Sequence, residues 1–69
     1  MSSTLITNHI RRLRFEHGEM TQQELAEQIG VTRQTVNAIE AGKYSPSLEV
    51  AFRIAAVFGQ RVDEVFRVG

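Results

Sequence analysis

Apolar residues recur every three or four positions along most of the chain, which is the spacing of helix faces that pack against a core. Near the start, Ile6, Ile10 and Leu13 follow this spacing and predict a first helix over about residues 6–16. No stretch alternates strictly between apolar and polar residues, so the pattern predicts no sheet. The expected fold class is therefore all-α.

Two short helices joined by a tight turn are predicted within residues 21–42. Thr21 is a favourable N-cap, and Glu24 three residues later completes a capping box. Gly30 supplies a left-handed backbone conformation at the turn, and Thr32 caps the helix that follows. This arrangement is typical of the bihelical unit that places its second helix in a groove of DNA.

The C-terminal third of the chain predicts two further helices. The first is capped by Ser47 and ends near Phe58, and a shorter one covers about residues 62–66. The longer helix is apolar around most of its circumference, with a core stripe expected at Leu48, Ala51, Ala55 and Phe58. We expect residues 1–5 to form a flexible tail and residues 6–69 a single domain.

The composition excludes several classes of protein. Among the 69 residues there is no cysteine, and the two histidines, His9 and His17, have no neighbouring cluster of metal ligands. We therefore expect no metal, no cofactor and no enzymatic activity, because no nucleophile, base or phosphate loop is evident. No apolar run approaches the ~20 residues of a membrane span and no signal peptide is evident, so we expect a cytoplasmic location.

Several motifs together resemble one known family. They are Gln22, Glu24, Leu25 and Ala26, the turn at Gly30, Val36 and Ile39 before residues 40–43, and Pro46, Ser47 and Leu48. The chain from Ile6 to Phe66 resembles the DNA-binding domain of phage repressors and Cro, the Xre family of helix-turn-helix regulators. The resemblance implies a compact five-helix lambda-repressor-like fold, with helices 2 and 3 as the helix-turn-helix.

The resemblance also implies which side chains meet DNA. A recognition helix, here about residues 32–41, enters the major groove with its first residues towards the base edges. The residues expected to read bases are Thr32, Arg33, Gln34 and Asn37. Arg33 suits guanine and Gln34 suits adenine. The residues expected to contact the DNA backbone are Gln22, Thr35, Lys43 and Tyr44, although Tyr44 could equally pack as a lid on the core.

One ion pair is expected from the same resemblance. Glu40 lies at the end of the recognition helix, and Arg14 occupies the matching place on the first helix. We expect these two residues to form a structural ion pair that links helices 1 and 3.

The net charge of the chain affects the oligomeric state that we expect. Eight Lys and Arg residues balance eight Asp and Glu residues, whereas DNA-binding domains are often basic throughout. Few cationic contacts for each copy imply weak binding by one copy and favour a homodimer on a two-fold site. The apolar residues expected to form the dimer contact are Val62, Val65, Phe66 and Val68.

The sequence thus predicts a regulator of transcription that binds double-stranded DNA in a sequence-specific way. Its simplest form is a repressor that binds a palindromic operator as a dimer. The alternative is an antitoxin-like module that holds a protein partner through its apolar C-terminal face. The extra segment that antitoxins often use is not evident, since only three residues follow Phe66.

Overall fold

The computed structural model describes residues 6–68, in which short helices enclose an apolar core and the two ends of the chain meet in a β-ribbon. In chain order the elements are β1 (Ile6–Asn8), α1 (Ile10–Glu16), α2 (Gln22–Ile29), α3 (Arg33–Glu40), α4 (Leu48–Phe58), α5 (Val62–Val65) and β2 (Phe66–Val68). No helix in this range has the length and apolarity needed to cross a bilayer. The tail predicted for residues 1–5 lies outside the described residues.

The β-ribbon corrects the all-α prediction. Strands β1 and β2 pair antiparallel, with Ile6 opposite Val68 and Asn8 opposite Phe66. The first helix consequently begins at Ile10 rather than at residue 6 or 7, and Ile6 is 40% exposed instead of lying in the core. Strands of three residues are too short for alternation to be recognised, and their partners lie at opposite ends of the chain.

The helix-turn-helix unit forms from the caps that the sequence predicts. Thr21 Oγ1 accepts a hydrogen bond from the Glu24 amide at 3.0 Å, and Glu24 Oε1 accepts one from the Thr21 amide at 2.8 Å. Gly30 ends α2 with φ +76°, and Thr32 Oγ1 accepts from the Thr35 amide at 3.1 Å. These caps and the left-handed glycine set the directions of α2 and α3.

The core draws on every helix. Its buried side chains are Ile10, Leu13, Leu25, Ala26, Ile29, Val36, Ile39, Ile54, Ala55, Phe58 and Val65. Two predictions about α4 and α5 change as a result. Leu48, expected in the core stripe of α4, is 72% exposed, and Val65, expected at a dimer contact, is completely buried. In the C-terminal part of the chain, the most exposed apolar side chains are therefore Leu48 and Phe52 on α4 and Val68 on β2, and not Val65 on α5.

The different burial of two C-terminal valines can be tested by truncation. We expect Val65→Ala to lower the free energy of unfolding by about 2 kcal/mol, since it removes two buried methyl groups and leaves a cavity. Val68→Ala is the matched control, because this side chain is 75% exposed. Urea denaturation at several protein concentrations measures both and separates folding from association. Equal losses for the two variants would contradict the assignment of Val65 to the core.

Candidate nucleic-acid interface

The outer face of α3 is polar and accessible. Val36 and Ile39 bury one side of this helix, while Arg33, Gln34 and Asn37 are exposed on the other. Asn37 lies one turn beyond Arg33, so the two side chains share a face. Thr32 is exposed at the N-cap, so the four residues predicted to read bases lie together at the start of α3.

A side chain of α4 forms a hydrogen bond to the backbone at the turn before α3. Arg53 Nη1 donates to the carbonyl oxygen of Ile29 at 3.2 Å, and Arg53 Nη2 lies 2.6 Å from Glu49 Oε2. The cation satisfies a carbonyl at the C-terminal end of α2, where a helix favours positive charge. A Cβ on Gly30 would lie 3.6 Å from Arg53, an ordinary contact, so the positive φ rather than space requires glycine here.

Arg14 and Glu40 form the ion pair expected between α1 and α3. Arg14 Nε donates to Glu40 Oε2 at 2.6 Å, and Nη2 donates to Oε1 at 3.0 Å. Arg14 Nη1 also donates to the carbonyl oxygen of Met20 at 2.7 Å, in the segment before α2. The two side chains are only 15% and 10% exposed. This bidentate geometry links the first three helices at one point.

Gln22 contacts the recognition helix through its side-chain amide. Its Nε2 donates to Asn37 Oδ1 and to Glu40 Oε1, each at 3.3 Å. An amide nitrogen carries two hydrogens, so both donors of this side chain are occupied within the chain. The remaining side-chain oxygen only accepts hydrogen bonds, so it cannot bind a phosphate. The phosphate contact predicted for this side chain would require one of these two bonds to break.

Asn8 supports the end of α3 through a contact that sequence reasoning did not identify. Its Nδ2 donates to the carbonyl oxygen of Ile39 at 3.0 Å, and its Oδ1 accepts from the Ile10 amide at 3.1 Å. The side chain thus satisfies the C-terminal end of α3 and the N-terminal end of α1 at the same time. No local signal could reveal the first contact, because its partner is 31 residues away.

Positive charge remains available beside α3. Within residues 6–68, four cations form no ion pair with a carboxylate, namely Arg11, Arg33, Lys43 and Arg67. Arg11 lines a surface groove together with Gln22 and Asn37. Glu40 is the one carboxylate among the described residues that line this groove, and Arg14 neutralises it. Lys43 is exposed just after α3, so a neutral chain still presents cations on this side.

The residues that follow α3 are accessible. Tyr44 is 54% exposed, which does not fit the alternative of a lid buried on the core. Thr35 is half-buried, and its hydroxyl lies 3.0 Å from that of Thr32. Lys43 and Tyr44 therefore have the freer side chains among the residues predicted to contact the DNA backbone.

Part of the predicted dimer surface is also accessible. Val68 is 75% exposed, whereas Val62 and Phe66 are half-buried. Ile6 and Phe52 join these three residues along an open apolar groove between α4 and the β-ribbon. Val65 is completely buried, so its side chain cannot contact a second copy in this fold.

The histidines and carboxylates of the described residues do not gather into a metal-binding cluster. Among residues 6–68, no group of three or more His, Cys, Asp or Glu side chains could hold a metal ion. His17 packs edge-on against Phe58, with ring centroids 5.1 Å apart, and its Nδ1 lies 3.0 Å from the carbonyl oxygen of Leu13. This histidine is therefore engaged in a structural contact.

Two capped helices that meet at a left-handed glycine, with the outer face of the second left polar, define a helix-turn-helix protein. The helix-turn-helix family HTH_3 matches residues 10–65. The chain belongs to this Xre-type family, as the resemblance read from the sequence predicts.

Relatives from archaea and bacteria support this assignment. The uncharacterised HTH-type transcriptional regulator MJ0272 of Methanocaldococcus jannaschii is 48% identical over 59 residues, which cover 86% of this chain and 88% of the relative. The uncharacterised HTH-type transcriptional regulator YgzD of Bacillus subtilis is 46% identical over 59 residues, with the same coverage of 86% and 88%. The cryptic phage CTXphi transcriptional repressor RstR of Vibrio cholerae is 36% identical over 61 residues, which cover 88% of this chain and 54% of the repressor.

The fold also matches a solved structure. The crystal structure of a candidate DNA-binding protein from Bacteroides fragilis aligns with a TM-score of 0.75 and covers 90% of this chain and 98% of that one. The two sequences are 22% identical, so this comparison supports the fold only.

The contribution of the Arg14–Glu40 ion pair to stability can be tested by substitution. Glu40→Ala leaves the guanidinium of Arg14 in a mostly buried position without its carboxylate, and we expect a loss of about 3 kcal/mol in the free energy of unfolding. Glu49→Ala is the matched control, since its pair with Arg53 is exposed and we expect a loss below about 1 kcal/mol. Thermal and urea denaturation check both variants. Small and equal losses would show that the Arg14–Glu40 pair contributes little.

Proposed function

We propose that this helix-turn-helix protein is a sequence-specific regulator of transcription that inserts α3 into the major groove of double-stranded DNA. The proposal rests on the exposed polar turn at the start of α3, which is held in place by caps and by Arg53. In this proposal Thr32, Arg33, Gln34 and Asn37 face the base edges. Arg33 offers the paired donors that suit guanine, and Gln34 offers the donor and acceptor that suit adenine.

Phosphate contacts supply the remaining affinity. We assign Lys43 and Tyr44 to the DNA backbone because both are exposed immediately after α3, and Thr35 to the same role through its hydroxyl. Gln22 approaches a phosphate through its backbone amide at the start of α2, since its side-chain donors are occupied. Such contacts set affinity and orientation, whereas base contacts set specificity.

The proposed regulator works as a homodimer on a palindromic operator. Each copy carries few cations beside α3, so one copy alone binds weakly. The open apolar groove of Ile6, Phe52, Val62, Phe66 and Val68 is the surface proposed to join two copies. The simplest regulatory effect is repression by occupation of a promoter, in the cytoplasm and without catalytic activity. The naming of RstR as a repressor is consistent with this.

A protein-binding module of the antitoxin class is the alternative. Such a module would use the same apolar groove for another protein. A monomer that binds no operator would favour it over the regulator.

Two single substitutions separate base reading from backbone binding. We expect Arg33→Ala to cost about 1–3 kcal/mol on the preferred duplex and to relax selectivity at one base pair. Lys43→Ala is expected to weaken all duplexes alike and to lower the slope of affinity against salt by about 1. Fluorescence anisotropy titrations with specific and random duplexes over a range of salt concentrations measure both effects.

The control for these titrations is Arg12→Ala, because Arg12 lies on α1 next to Glu16, an exposed residue with which it forms a loose ion pair of 3.9 Å. A wild-type protein with no preference for any duplex over bulk DNA would refute the proposed function.

The dimer surface can be tested with one acidic substitution. Phe52 is 59% exposed within the apolar groove, and a carboxylate placed there resists burial against a second copy. We expect Phe52→Asp to weaken self-association by about 2 kcal/mol or more, measured by sedimentation equilibrium. Phe15→Asp is the control, since Phe15 is 70% exposed on α1 away from this groove. If both variants associate like the wild type, the interface lies elsewhere.

A further inference from the structure

A directed chain of hydrogen bonds reaches the DNA-facing side of α3. It starts at Arg14, which donates to both oxygens of Glu40. Glu40 Oε1 in turn accepts from Gln22 Nε2 at 3.3 Å, and the same nitrogen donates to Asn37 Oδ1 at 3.3 Å. Asn37 is exposed and stands at the outer end of this chain.

The chemistry of the groups fixes the direction of this chain. A carboxylate that is paired with a guanidinium offers acceptors only, so the Gln22 atom that faces Glu40 must be the amide nitrogen. Because this nitrogen also faces Asn37, the Asn37 atom opposite it must be the oxygen. The orientation of two side-chain amides, which is usually ambiguous, therefore follows from the position of one buried charge pair.

We propose that Gln22 positions Asn37 so that only its Nδ2 group faces the DNA, and that Asn37 consequently selects a keto base, guanine or thymine. The proposal rests on the proposed function and assigns the base class that one residue reads. Gln22 acts here as a positioning residue, whereas Asn37 is the residue that touches the base.

The major groove supplies the discrimination. Guanine presents two adjacent acceptors, N7 and O6, and thymine presents O4, whereas cytosine presents only an amino group and adenine presents an amino group beside its single acceptor N7. An asparagine that is free to turn makes a paired contact with adenine, using its oxygen and its nitrogen together. With the oxygen turned towards Gln22 and away from the base edge, that paired contact is lost. The outward amino group can then donate to adenine only at N7, next to the adenine amino group, whereas guanine offers it O6 beside N7.

The test is selection of bound duplexes from a random pool, performed with the full chain and four variants. Asn37→Ala identifies the base position that Asn37 reads. Gln22→Leu removes the positioning bonds and keeps a side chain of similar size. Gln23→Leu is the matched control, because Gln23 is exposed on the next position of α2 and bonds only to Glu27 among the described residues. Asn37→Asp keeps the bond from Gln22 but turns an oxygen towards the DNA.

We expect the wild type to carry guanine or thymine at the position that Asn37→Ala makes indifferent. Gln22→Leu should admit adenine there, with the preference for keto bases reduced about tenfold, while the other positions stay unchanged. Gln23→Leu should select the wild-type sequence. Asn37→Asp should reverse the preference at this position towards adenine or cytosine. This variant tests the proposal even if Gln22→Leu folds poorly.

Adenine at this position in the wild type would overturn the inference and leave the proposed function intact. So would an Asn37→Ala variant that changes no base preference, or a Gln22→Leu variant whose losses spread equally over all positions. A wild type that selects no sequence at all would refute the proposed function, and the inference with it.

Discussion

The ion pair between Arg14 and Glu40 joins α1, α3 and the segment that leads into α2. Two mostly buried charges face each other in bidentate geometry, and Nη1 of Arg14 donates to the Met20 carbonyl before α2. One guanidinium therefore sets the positions of α1, α2 and α3 relative to each other. Burying two charges requires desolvation, so the pair contributes less to net stability than its contact distance suggests. Losing one partner is expected to lower the free energy of unfolding strongly, because the other charge would then remain buried alone.

The same pair connects stability with recognition. Glu40 ends the helix whose first turn is proposed to read bases, and it also accepts a hydrogen bond from Gln22, which in turn contacts Asn37. Asn37, one of the side chains proposed to face the DNA, is thus held from the inside through a contact that also links the helices of the fold. Asn8 and Arg53 add to this support from β1 and α4, since each satisfies a carbonyl at the end of a helix of the DNA-binding unit. A domain of this size has a small margin of stability. Here the same contacts stabilise the fold and position side chains proposed to contact DNA.

Local signals in the sequence predict the helix-turn-helix unit well, because caps and left-handed glycines act within a few residues. Thr21, Glu24, Gly30 and Thr32 adopt the roles expected from their spacing. The errors all arise from contacts between distant parts of the chain. The β-ribbon pairs residue 6 with residue 68, and this pairing moves Ile6 out of the core and shortens α1. Val65 fills the core beneath α4, whereas Leu48 and Phe52 face outward, because an apolar helix does not reveal which side its neighbours cover. The chemistry of Gln22 likewise depends on two partners more than a dozen residues away.

In the proposed function, a chain with no net charge binds DNA through one exposed turn of α3, flanked by cations that no carboxylate among the described residues neutralises. The most direct test is an NMR titration of the labelled protein with a duplex selected by it, following the backbone and side-chain amide signals. We expect the largest shifts on residues 32–37 and on Lys43, with Arg11 and Gln22 next and the groove between α4 and the β-ribbon unaffected by the DNA itself. Shifts that concentrate on α4 and the β-ribbon while α3 stays unperturbed would refute binding through α3.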